Sequence, residues 1–191
     1  MYNAMNANQF ASMPFIPYKI FSTLLNNENL FKLIYYNTYD ALSKPNLTID
    51  EKMGLLWRGQ SDVENYNIFL NNIQPNLELK SKTILKCYRC GTVPKDRFTS
   101  VLNYKFDILF GVTIPLVEYE GITCNRGDLI EMELMKSLNG KDTAGVGFLQ
   151  YNHALSVACG SNVGAGNDYT FTGISVIMAT VLGTKEGVDC G

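Results

Sequence analysis

Residues that would carry chemistry are scarce in this chain. It has a single histidine, His153, with no serine or cysteine nucleophile signature beside it, which argues against a hydrolytic triad. Of five cysteines only Cys87 and Cys90 lie close together. Their spacing is that of a zinc half-site, but zinc needs a second pair, and Cys124, Cys159, Cys190 and His153 stand singly. A redox pair belongs at a helix N-terminus. These two fall on an expected strand, where they point to opposite faces. Free thiols and no metal or cofactor are therefore expected. The Gly160–Gly166 stretch is not followed by the Lys-Ser/Thr of a phosphate loop, so it reads as a hairpin tip. Asp128, Glu131 and Glu133 resemble a carboxylate cluster, but Asp128 suits a helix cap and the two glutamates a solvated or subunit-facing side.

Other classes fall to absences of a different kind. No uninterrupted apolar run reaches membrane-spanning length. The first residues lack the basic and apolar regions of an export signal, so none is expected. A net charge of −2 argues against a dedicated nucleic-acid surface, though a local basic patch is compatible with it. There is no internal repeat. With 191 residues the chain is long enough to bury a substantial core.

The clearest pattern runs from Asn103 to Tyr151. Leu102, Tyr104, Phe106, Ile108, Phe110, Val112 and Ile114 occupy alternate positions, which places one apolar row of a strand against a core. Asn103, Lys105 and Asp107 between them suit a solvated or subunit-facing side. Arg126-Gly127-Asp128 then leads into a helix over 128–139. Its stripe is Ile130, Leu134 and Leu138, its cap Asp128, and its left-handed stop Asn139-Gly140.

Upstream, Met1–Met13 is uncharged, Asn-rich and without period, and reads as a flexible arm over 1–14. Residues 15–80 read as helical. Pro17 fits the first turn of a helix over Tyr18–Asn26, and Asn27 caps another from Glu28 to about Ser43, stopped by Pro45. Thr48-Ile49-Asp50-Glu51 matches a capping box, and Ser61-Asp62-Val63-Glu64 repeats the signal after a break at Gly59. From Lys82 the period becomes two. Strands are expected over 82–90, 101–114, 146–159 and 169–182, giving a sheet domain over 81–183 and a tail over 184–191. The fold class is α+β: a helical N-terminal region, then a mostly antiparallel β-sheet with one helix packed on it.

That order carries a resemblance. The Tyr104-Lys105-Phe106-Asp107-Ile108 strand, the Arg126-led helix ending at Leu138-Asn139-Gly140, the Gly145-Val146-Gly147-Phe148-Leu149 strand and a long final strand resemble the small head–tail joining proteins of tailed bacteriophages, nearest to the tail terminators. The resemblance covers about the last half of the chain, and the helical region departs from the compact terminator pattern. It implies a non-catalytic virion subunit that closes into a homo-oligomeric ring in the neck. Its partners would be portal, adaptor and tail proteins, with viral DNA crossing the channel unbound and no membrane involved. A portal adaptor or stopper ring is the alternative, and a non-catalytic interaction or ligand-binding domain is the second. The candidates for subunit contact are Phe10, Phe15, Lys95, Arg97, Phe98 and Arg126.

Overall fold

A computed structural model describes residues 13–72, 82–94, 99–111, 113–143, 147–158 and 171–183. After a 3₁₀ turn at Met13–Phe15 come three helices: α1 Ile16–Leu24, α2 Glu28–Tyr35 and α3 Ile49–Gly54. Then follow β1 Ile68–Phe69, β2 Thr83–Pro94, β3 Thr99–Gly111 and the hairpin β4 Leu116–Tyr119 and β5 Ile122–Asn125. The longest helix, α4 Arg126–Leu138, precedes β6 Asp142–Thr143, β7 Gly147–Phe148, β8 Gln150–Tyr151, α5 His153–Ala158 and β9 Phe171–Gly183. The fold is α+β.

The main sheet has the order β1-β2-β3-β9-β8 and is antiparallel except for the β1–β2 pair. Its three long strands dominate. β1 meets only Leu85 and Lys86 of β2, and β8 only Ala179 and Met178 of β9, so both flanking strands are short. The row Leu102, Tyr104, Phe106, Ile108 and Phe110 is buried on one face, as the alternation predicts. Ile130, Leu134 and Leu138 of α4 pack into the same cluster. So do Ile20, Phe21, Leu30 and Phe31 of α1 and α2, and the helical region and the sheet therefore bury one shared core.

Several local expectations hold at atomic detail. Asn27 caps α2, its Oδ1 accepting from Leu30 N at 2.9 Å. Thr48 and Glu51 form the full capping box of α3. Asn139 ends α4 in extended backbone and Gly140 takes φ +68°.

Others are corrected. The second helix stops at Tyr35, and only a 3₁₀ turn at Ala41–Ser43 follows, because the carbonyls of Tyr36 and Thr38 turn inward to a side-chain donor instead of continuing the ladder. The second capping signal yields just a 3₁₀ turn at Val63–Asn65, with no bond from the Asp62 side chain to the turn's amides. The 146–159 strand divides into β7, β8 and α5. Asn152 Oδ1 accepts from Leu155 N at 3.2 Å and starts that helix, a capping role a period count does not register. The cap of α4 is Asn125, whose Oδ1 accepts from Gly127 N at 2.7 Å and Asp128 N at 3.3 Å, while Asp128 sits in the first turn. Glu133 does not face solvent: it is buried, bonded to Asn27 Nδ2 at 3.0 Å and Lys136 Nζ at 2.9 Å. The Gly160–Gly166 tip and the 184–191 tail lie outside the described residues.

Candidate functional site

Arg126 is the most unusual buried residue. Its side chain is fully enclosed at the start of α4. Nε donates to Ile114 O at 2.8 Å, Nη1 to Leu33 O at 2.6 Å and Tyr36 O at 3.0 Å, and Nη2 to Thr38 O at 2.9 Å. Among the described residues no carboxylate pairs with it. Three of its four acceptors are carbonyls that the end of α2 and the following turn would otherwise leave orphaned, and a cation suits that negative helix end. Burial lowers its pKa to about 10, which still leaves it protonated at neutral pH. Arg126 is thus an internal clamp, and the subunit-contact role expected of it is corrected: it has no exposed surface to offer a neighbour.

A second polar group spans the opposite face of the sheet. Lys86, Asp107 and Ser175 stand in register on β2, β3 and β9. Ser175 Oγ donates to Asp107 Oδ1 at 2.6 Å, Tyr88 Oη to Oδ2 at 2.8 Å, and Lys105 Nζ lies 3.0 Å from Oδ1. Burial alone would raise the Asp107 pKa. The bonds from Ser175, Lys105 and Tyr88, with the Lys105 charge, outweigh it and hold the carboxyl below its usual range. Tyr88 is pushed up to about 12, first by desolvation and then by its bond to Asp107. Lys86 is lowered by burial, with Asp107 acting against that shift. An aspartate this acidic is a poor base and its hydroxyl neighbours all donate to it, so the network suits cross-strand bonding. The alternation of Asn103, Lys105 and Asp107 correctly placed them off the core face, but Asn103 and Asp107 are buried there.

The two close thiols differ: Cys87 is buried in the core and its pKa is raised by desolvation, while Cys90, at the β-bulge between Arg89 and Gly91, is exposed. Among the described residues no group of three histidine, cysteine or acidic side chains could hold a metal ion. No described helix is long and apolar enough to cross a membrane.

The remaining features are surfaces. At the far end of the long strands Val93, Val101 and Val181 form a row across β2, β3 and β9. Val181 is 52% exposed and Phe148 61% exposed. Between them opens a groove of about 380 Å³, lined by Val101, Gly147, Phe148, Gln150, Ala179, Thr180 and Val181, none of these described residues being charged. On the β2 edge a second hollow of about 380 Å³ lies among Met13, Pro14, Pro17 and Arg89. Arg89 Nη1 donates to Met13 Sδ at 3.8 Å, and Phe15 beside it is 63% exposed. Of the expected contact residues the structure therefore leaves Phe15 at the surface and encloses Arg126. Phe10, Lys95, Arg97 and Phe98 lie outside the described residues. Val181 and Phe148 were missed, because a strand residue's exposure depends on what covers it.

A protein-family model, YomW, matches residues 27–180, from the α2 cap into the last strand, β9. The chain belongs to the YomW family. That family name is phage-derived. No curated protein matches the chain.

Proposed function

We propose that this YomW-family chain is a non-catalytic virion subunit, many copies of which close into a ring in the neck of a tailed phage, between the head's portal and the tail. The observation that carries the reading is the pair of exposed apolar patches on opposite edges of one sheet: Met13–Tyr18 beside β2, and Val181 with Phe148 beside β9. A ring built from heterologous contacts needs two different patches per subunit, each complementary to the other, and closes when their relative rotation allows. The phage-derived family name supports a viral setting. A net charge of −2 is compatible with a channel that DNA crosses without sticking, since each phosphate neutralised would add binding energy.

Negative-stain images of the purified full chain should show closed rings, and their symmetry separates a tail terminator from a portal adaptor. Particles assembled without the protein should accumulate as heads with no joined tails. Normal infectious virions made in its absence would sink the reading.

A further inference from the structure

The two patches differ in shape, and the difference assigns them roles. The β9 patch is concave, a groove whose walls are Val101, Ala179 and Val181 on one side and Phe148 and Gln150 on the other. Beside β2 there is a hollow of similar size, but two aromatic rings stand out next to it. Phe15 and Tyr18 lie one helical turn apart at the start of α1 with much of each ring uncovered.

We infer that the groove beside β9 seats the Met13–Tyr18 segment of a second copy of this chain, with Phe15 as the buried anchor. The inference rests on the ring reading above and names the contact that would build it. Charge supports the match. None of the described residues lining the groove is ionisable, so an occupant carrying charge would be desolvated against them without a partner. In this chain residues 1–18 contain no aspartate, glutamate, lysine or arginine, and the first charged residue is Lys19. Neutral groove residues and neutral segment are thus compatible, whereas Glu118 and Glu120 accompany the exposed Leu116 and Ile122 of the β4–β5 hairpin.

Position supports it as well. From Cys87 outward β1 no longer flanks β2, so at the level of Arg89 and Met13 the β2 strand is the sheet's edge among the described residues. The groove lies at the other edge, beyond β9. One subunit therefore offers its segment on one side and its groove on the other, which gives a head-to-tail contact that can propagate. A two-fold contact, by comparison, would place the same patch on both partners. A large aromatic side chain entering an apolar pocket is also the usual form of an interface anchor.

The test uses two full-length variants, Phe15→Asp and Val181→Asp, each at an exposed position where the native fold should persist, checked by circular dichroism and melting. Mass by light scattering on a sizing column is the readout. The wild type should run as a multimer and each variant alone as a monomer. An equimolar mixture of the two should form a dimer and go no further, because Phe15→Asp keeps an intact groove and Val181→Asp an intact segment. Assembly of either variant like the wild type, or a mixture that stays monomeric, would overturn this contact and leave the ring reading standing. A wild type that is monomeric at every concentration would overturn both.

Discussion

Arg126 donates from Nη1 to the backbone carbonyl of Leu33, 2.6 Å away and buried, and so ties the start of α4 to the end of α2. The same guanidinium reaches the carbonyls of Tyr36, Thr38 and Ile114. One side chain thus ends a helix, holds the turn after it and fixes the loop before β4. Replacing it with methionine keeps much of the bulk but leaves those carbonyls unpaired. A buried polar group without a partner costs about 1–3 kcal/mol, so Arg126→Met should lose at least about 3 kcal/mol in urea unfolding. Arg126→Lys, with a point charge in place of a planar fork, should recover only part of it. A loss of a few tenths from Arg126→Met would show that the clamp is not needed.

The cap of the same helix is a sharper case. Asn125 Oδ1 takes two amides, and Asp128 lies exposed in the first turn. Asn125→Ala should cost about 0.5–2 kcal/mol, while Asp128→Ala removes only a favourable charge near the helix start, worth about 0.3–1 kcal/mol. Chemical denaturation of both variants ranks them directly, and the reverse order would return the cap to Asp128.

Leu134 faces the sheet with no exposed surface, in one cluster with Phe106 and Phe110. Leu134→Ala should cost about 2–5 kcal/mol, the range for emptying a buried leucine position. A change below about 0.5 kcal/mol would mean the helix presents another side to the core.

These three positions also show what was legible in the sequence. The helix stripe and the strand alternation are periodic signals, and Ile130, Leu134, Leu138 and the 102–110 row all land where the period puts them. Arg126 has no such signal. Its carbonyl partners lie up to 93 positions away in the chain, and nothing local marks an arginine that will be enclosed. Glu133 fails for the same reason: it lies one position before Leu134 on α4, and its partner Asn27 arrives from the α1–α2 turn, 106 positions away in the chain. Caps compete at close spacing, and Asn125 won over Asp128 because it directly precedes the helix, where its backbone is extended and its side chain faces the first amides. The exposed groove was out of reach, since Phe148 and Val181 follow the strand pattern as well as any core residue does.

Glycine contacts separate two substitutions that look alike on paper. A Cβ on Gly173 would stand 2.3 Å from Ile108 O and 2.8 Å from Leu109 Cδ2, and the first is backbone that cannot step aside. Gly173→Ala should pry β9 from β3 and cost several kcal/mol, at the upper end of the ~1–3 kcal/mol typical of overpacking or beyond it. At Gly54, the last residue of α3, an added Cβ meets nothing within 4 Å. Gly54→Ala should leave stability unchanged or raise it by up to about 1 kcal/mol. Melting curves for the pair decide this, and equal effects would contradict the close β3–β9 approach.

The last prediction concerns acid. Asp107 is held below its ordinary value of 3.8 in the folded chain, burial working against that and the bonds from Ser175, Lys105 and Tyr88 prevailing. A carboxyl with a depressed folded pKa binds its proton more readily when the chain is unfolded. The stability it contributes is therefore complete above the unfolded value and is lost as pH falls through the folded one. Unfolding midpoints in urea should fall for the wild type as pH drops below about 4, to the extent that Asp107 contributes. Asp107→Asn removes the titration and leaves Lys86 and Lys105 without their shared counter-charge. It should be less stable than the wild type near neutral pH, with the gap narrowing as pH falls. A gap that holds constant from neutral pH into the acid range would show that the network owes its stability to hydrogen-bond geometry alone, with no part played by the Asp107 charge.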